Sequence, residues 1–271
     1  MNEGATMKKF IFSTIIAITF LVAQSEHPFP PLNLVTIPTA GTLPKGSFTL
    51  EMLLQKDGGI LPNLAVGLTD HFTIGMSYGF QDFIGDTKLK KNKPTPEVQV
   101  KYRLYEENTT WPALVIGLDT QGRGQYWEYD NLDAVQTLIE RYDKKAWGMY
   151  LTASKNWNVL GNLGLHIGIS KNTWEDKDGD KSTNFFFGLD KELNRSFALL
   201  LEYDAALNDN GDAWGFHDIT FGKGKGFLNA GLRWTIGSNL LIELDVNNIT
   251  LNNDQAKYVN REVKIIYSEI F

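Results

Sequence analysis

Ionisable side chains recur inside apolar runs of this chain at alternate positions. Lys101 and Arg103 interleave with Val98, Val100, Tyr102 and Leu104, and Glu243 and Asp245 interleave with Leu240, Ile242, Leu244 and Val246. An extended chain turns successive side chains to opposite faces, so each segment carries its charges on one face and its bulky apolar groups on the other. Gly117-Leu118-Asp119 and Gly188-Leu189-Asp190 each set an acid on the face opposite a leucine, and Gly231-Leu232-Arg233 does the same with a base. Glu202 and Lys264 complete the set. Two chemistries fit such a collection: a polar passage for an ion or a saccharide, or an ion-pair network that fills a narrow interior, since a charge removed from water must be paired. The mixed signs favour pairing over a single-sign field.

Other chemistry finds less support. Asp176, Asp178, Asp180 and Ser182 present alternating oxygens, but Gly179 is misplaced for a calcium-binding EF-hand loop and no bidentate glutamate follows at the required distance, so the segment reads as a solvated external loop. His166 and Ser170 would share a face of one strand about 13 Å apart, too far for a nucleophile and its base. His217 falls in a long polar connection. No enzyme and no cofactor is therefore expected. Trp127, Tyr129 and Trp174 lie in long connections, where their rings could stack on sugars. The net charge of -6 and a pI near 5.3 argue against a nucleic-acid partner. The chain has no cysteine, hence no disulfide framework.

The elements that must position these residues are strands of a particular kind. In His71 to Phe80, Phe72, Ile74, Met76, Tyr78 and Phe80 alternate with Thr73, Gly75, Ser77 and Gly79. Similar segments are expected at 46–56, 62–69, 71–80, 96–105, 111–120 and 145–156, and again at 161–171, 183–191, 196–206, 227–236, 239–250 and 259–271. A short amphipathic helix is expected at 132–142 within a connection. Brief links alternate with long ones along the chain, the asymmetry of an outer-membrane meander with short periplasmic turns and long outer loops. An arginine or lysine facing lipid at mid-depth costs roughly 2–4 kcal/mol, which places the charges inside. The fold expected is an all-β, antiparallel, up-and-down transmembrane β-barrel of about 12 strands.

The ends agree with that location. Lys8 and Lys9 precede an uncharged run from Phe10 to Val22, and Ala23-Gln24-Ser25 offers a small-residue cleavage point, so 1–25 reads as an export signal. Residues 26–45 carry five prolines and read as an extended periplasmic lead-in, with the barrel at 46–271. Phe271, preceded at two-residue steps by Glu269, Tyr267, Ile265 and Val263, fits the terminal strand by which assembly machinery recognises outer-membrane clients, Glu269 being the departure. The partners expected are outer-membrane lipid, that machinery and a polysaccharide.

Four stretches carry a likeness to a known group: IPTAGTLPKGSFTL (37–50), NLAVGLTDHFTIGMSYG (63–79), PEVQVKYRLYEENTTWPALVIGLDTQGRG (96–124) and YLTASKNWNVLGNLGLHIGIS (150–170). In them the chain resembles the YjbH-like outer-membrane proteins linked to exopolysaccharide production. The likeness implies an envelope protein that helps a polysaccharide leave the cell. The larger relatives carry more than one such domain, whereas a single barrel is expected here.

Overall fold

The computed structural model describes residues 29–86, 88–130, 138–209, 226–250 and 260–271. The first half contains β1 (Ser47–Leu54), β2 (Ile60–Thr69), β3 (Phe72–Ser77), the two-residue β4 (Phe80–Gln81) and β5 (Lys90–Lys91), β6 (Glu97–Tyr105) and β7 (Ala113–Asp119). There follow β8 (Arg123–Asp130), β9 (Leu138–Lys144), β10 (Gly148–Asn158), β11 (Asn162–Lys171) and β12 (Asn184–Glu192). The second half ends with β13 (Phe197–Asp204), β14 (Phe227–Ile236), β15 (Leu240–Asn247) and β16 (Asn260–Ile270).

These strands form an antiparallel meander that closes on itself. β1 pairs with β2 on one side and with β16 on the other, which leaves the cylinder without a free edge. The sheet holds 14 strands, of which β4 and β5 form a spur on β2, leaving twelve in the wall. β8 and β9 form a separate two-stranded hairpin in the connection from β7 to β10. The seam is sealed at its end by the Phe271 amide, which donates to the Gly46 carbonyl at 2.7 Å.

The faces have the polarity that the alternation predicts. Met76, Ile167 and Leu244 are 53%, 51% and 51% exposed on the outside, whereas Lys264 and Glu243, facing in, are fully buried. Outward apolar and inward ionic is the reverse of a soluble sandwich and is the arrangement that lipid requires. Tyr105, Trp111, Trp157 and Trp234 are exposed near the short-turn end, where an interfacial aromatic belt belongs. On the seam, Phe48 lies 5.1 Å from Phe271 and 6.2 Å from Tyr267 between ring centroids. Glu269, the departure from the terminal pattern, accepts a 2.5 Å hydrogen bond from the Tyr267 hydroxyl.

Two expectations need correction. The helix expected at 132–142 is not formed in its described part, because residues from Leu138 onward belong to β9. The segment Arg123–Asp130 supplies a strand partner, and the cross-strand pair Tyr126–Tyr142, with centroids 5.0 Å apart, favours the hairpin over a weak helical period. The second correction concerns the lead-in. From Asn33 to Leu43 the chain lies inside the cylinder as a narrow loop, pinned by an Asn33–Pro38 bridge and by Leu34 N–H donating to the Ile37 carbonyl at 2.9 Å.

The cause of that placement is hydrophobic. Leu34, Val35, Ile37 and Ala40 are buried with the inward Val115, Trp147, Tyr150, Phe186 and Leu200 in one apolar cluster. Burying an aliphatic side chain of this size contributes about 1.5–3 kcal/mol, so a periplasmic lead-in exposing three of them would be the worse state. The wall makes room by omitting side chains: a Cβ on Gly188 would stand 2.5 Å from Leu34 Cδ2 and 2.8 Å from Ile37 Cδ1.

Candidate functional site: a plugged lumen and its inner vestibule

The inward charges converge on the backbone of this loop. Glu202, on β13, receives the amides of Val35, Thr36 and Ile37 at 2.9–3.0 Å and the Thr36 hydroxyl at 2.5 Å. Asn229, on the neighbouring β14, donates to the same carboxylate at 2.8 Å. Three consecutive amides aimed at one carboxylate make a concave anion nest, here built by the plug around a wall residue. The cations take the carbonyls. Lys101 donates to Leu32 and Thr39, Lys264 reaches Val35 O at 3.0 Å, and Arg233 reaches Asn33 O at 3.3 Å.

Wall ion pairs stand behind these contacts. Arg233 pairs with Glu243 at 2.6 Å, and Lys264 bridges Glu243 and Asp245, the latter at 3.6 Å. The sequence-predicted network is thus partly a network and partly a receptor for peptide. Asp119 accepts from the Gln121 amide at 2.9 Å, and Asp190 binds His166. Arg103 approaches only Glu106, at 3.8 Å, and its buried Nε has no hydrogen-bond partner among the described residues.

Several participants were missed by reading strands alone. Arg123 pairs with Glu262 at 2.5 Å and donates to Val35 O at 2.9 Å, while Lys144 and the Trp147 indole both donate to Thr36 at 2.9 Å. Arg123 and Lys144 come from the β8–β9 hairpin and Trp147 from the link between β9 and β10, so the loop tip is held between the wall and an outer hairpin. Arg123 and Lys144 were bases in a connection, which gives no direction without the fold, and Trp147 stood at the start of an expected strand with nothing to show its partner.

The outer mouth is capped by charge. Arg141 pairs with Asp178 at 2.8 Å and Asp209 at 2.7 Å, and Lys145 pairs with Asp178 at 2.6 Å. Glu175 accepts from the amides of Tyr142 and Ala146, both at 2.7 Å. The segment expected to be solvated therefore has a buried centre, because Asp178 meets two cations from the hairpin. Burial pushes the Asp209 carboxyl up to about 6 against the opposing pull of Arg141, and burial raises Glu175 as well. Trp127 donates to Asp143 at 2.6 Å, and Trp174 is half exposed on the outer loops. Tyr129 lies in β8 with its side chain outside the described residues, as do the export signal and His217.

At the other mouth, the short-turn end, a vestibule of about 780 Å³ opens. Its lining includes Arg103, Ala113, Asn156, Asn158, Asn162 and Arg233, with Pro30 to Pro31 and Thr39 to Gly41 of the plug as its floor. Ser154, His166 and Asp190 also line it. Ser154 stands directly opposite His166 in the β10–β11 register, and Oγ lies 2.7 Å from Nδ1. His166 Nε2 lies 2.8 Å from Asp190 on β12. Ser170, on the same strand as His166, is too distant to be its partner, as expected from strand spacing; the hydroxyl that reaches the ring lies across the strands.

No family model matches this chain, and no curated protein matches it. Among solved structures it is similar to a KdgM porin, at 12% identity over 82% of this chain and 98% of that one, with a TM-score of 0.50. A KdgM porin in complex with disordered oligogalacturonate, at 12% identity with the same coverages, gives 0.48, and a NanC porin, at 9% identity over 83% and 99%, gives 0.42. The likeness to the first shows the fold, and with the outward apolar belt and inward charges it makes the chain a closed antiparallel transmembrane β-barrel.

Proposed function

We propose that the protein is a passage for small hydrophilic solutes, ions or short saccharides, held closed by its own N-terminal loop. The observation that carries this reading is the engagement of Glu202, Lys101, Arg233 and Lys264 with the backbone of residues 32–39, which leaves the lumen charged but occupied. Backbone amides and carbonyls satisfy the wall without any covalent or metal link, so the loop can exchange with water or solute. The likeness in fold to a porin supports the same reading. Export by cleavage after the 1–25 signal and insertion through the barrel assembly machinery belong to it.

Once vacated, the passage would favour cations. The lumen-facing carboxylates Glu51, Glu97, Asp119, Asp190, Glu202, Asp204, Glu243, Asp245 and Glu262 outnumber Lys101, Arg103, Arg123, Lys144, Arg233 and Lys264 among the described residues. Liposome swelling tests the proposal. Vesicles carrying the chain without residues 29–43 should admit a monosaccharide quickly and vesicles carrying the full chain slowly; equal rates, with both barrels folded, would remove the passage reading.

A second reading follows from the YjbH-like stretches. Pro38-Thr39-Ala40-Gly41, part of that resemblance, is the returning limb of the plug, so a role in exopolysaccharide export would work through this loop. Unchanged surface polysaccharide in a deletion strain would exclude it.

A further inference from the structure

We infer that the vestibule holds a serine ester-hydrolase site formed by Ser154, His166 and Asp190. The three lie on adjacent strands β10, β11 and β12, all turned inward, so the wall itself fixes their spacing. An ionised carboxylate only accepts hydrogen bonds, so Asp190 at 2.8 Å places the imidazole proton on Nε2. Nδ1 is then the acceptor, and the Ser154 hydroxyl at 2.7 Å is its donor. A hydroxyl bonded to a base that is itself oriented by a carboxylate is the arrangement that activates serine, whatever fold carries it.

The surroundings add what an acyl transfer needs. Ala40 N–H donates to Ser154 Oγ at 2.8 Å, which occupies one lone pair of that oxygen and leaves its proton directed at Nδ1. Ala113 pairs with Ser154 in the β7–β10 register and lines the same cavity, giving a small apolar spot beside the serine suited to an acetyl group. Asn156, Asn158 and Asn162 present amides, and Arg103 its guanidinium, to the rest of the cavity. The substrate class is therefore an acetyl ester of a polyhydroxylated alcohol such as a sugar.

The step balances without any further reagent than water. Ser154 Oγ bonds to the acyl carbon as its proton passes to His166 Nδ1, and the carbonyl electron pair moves onto oxygen. Collapse breaks the bond to the alcohol oxygen, which takes the proton from His166. Water then attacks the acyl-serine with His166 as base, releasing the acid and returning the proton to Ser154.

A fluorophosphonate reagent and 4-nitrophenyl acetate, applied to the full detergent-folded chain, test this. The reagent should modify Ser154, located by peptide mass, and Ser154→Ala should abolish modification. His166→Gln should slow acetate release about 100-fold or more, Asp190→Asn should slow it too, and Ser170→Ala should not. Heat-modifiable gel mobility confirms that each variant is still a barrel. Absence of label at Ser154 in the unaltered protein, or Ser154→Ala hydrolysing at the parental rate, would overturn the assignment.

Discussion

Glu202 is the residue on which the closed state turns. Replacing it with alanine leaves the amides of Val35, Thr36 and Ile37 without their acceptor, and each unsatisfied buried donor costs about 1–3 kcal/mol. The expected outcome is cleavage within 29–43 by added protease under conditions where the parent resists, read by mass spectrometry; equal resistance would mean that the apolar cluster alone holds the loop. Glu202 was singled out in the sequence as an inward acid, but its partners were sought among wall bases, because alternation gives a side chain's face and says nothing about what stands opposite. A pH prediction belongs at this scale as well. The folded cap holds Asp209 up to about 6, above its ordinary value of 3.8, so the folded form binds more protons between those values. Its contribution is present below the lower value and is lost as pH rises through the upper one. Hydrogen exchange at 141–146 and 175–178, corrected for intrinsic rate, should therefore report more frequent opening at pH 7 than at pH 4.5, and Asp209→Asn should flatten the difference.

The plug and the wall glycines are complementary as elements. Gly188 contributes no side chain where Leu34 and Ile37 pass, so Gly188→Ala brings a methyl within 2.5–2.8 Å of both side-chain ends, which must give way and disturb the packing of the loop tip. Faster proteolysis of the loop with unchanged strand content by circular dichroism is the expected result, whereas unaltered proteolysis would show that the tip shifts without loosening. Ile37→Ala acts from the other side, removing part of the apolar cluster at a cost of about 2–5 kcal/mol, and should give the same phenotype. The strands were legible in the sequence because lipid outside and charge inside impose opposite demands on successive residues. The lead-in was not, since its prolines describe an extended chain equally well in water or in a lumen. Leu34, Val35 and Ile37 are a group of aliphatic residues that need cover, and the lumen supplies it. The β8–β9 hairpin escaped for a related reason: it is stabilised by pairing with itself and by the loop it covers, and neither leaves a strong period.

At the scale of the whole molecule, a cylinder closed between β1 and β16 is occupied by the chain's own beginning and capped by its outer loops. The number of strands, their order and the alternation of short and long connections could all be derived beforehand, because each follows from spanning a bilayer with a closed sheet. The Ser154–His166 contact could not, since it depends on register across strands, which a single residue's slip would destroy. Reversal potential in a salt gradient should show a preference for potassium over chloride once the loop is removed, and a preference for chloride would contradict the excess of inward carboxylates. The most direct measurement is single-channel recording in a planar bilayer, comparing the full chain with one lacking residues 29–43. The account predicts a mostly silent full chain and stable conductance steps from the shortened one. Steps of equal size and frequency from both, or silence from a shortened barrel shown to be folded, would contradict it.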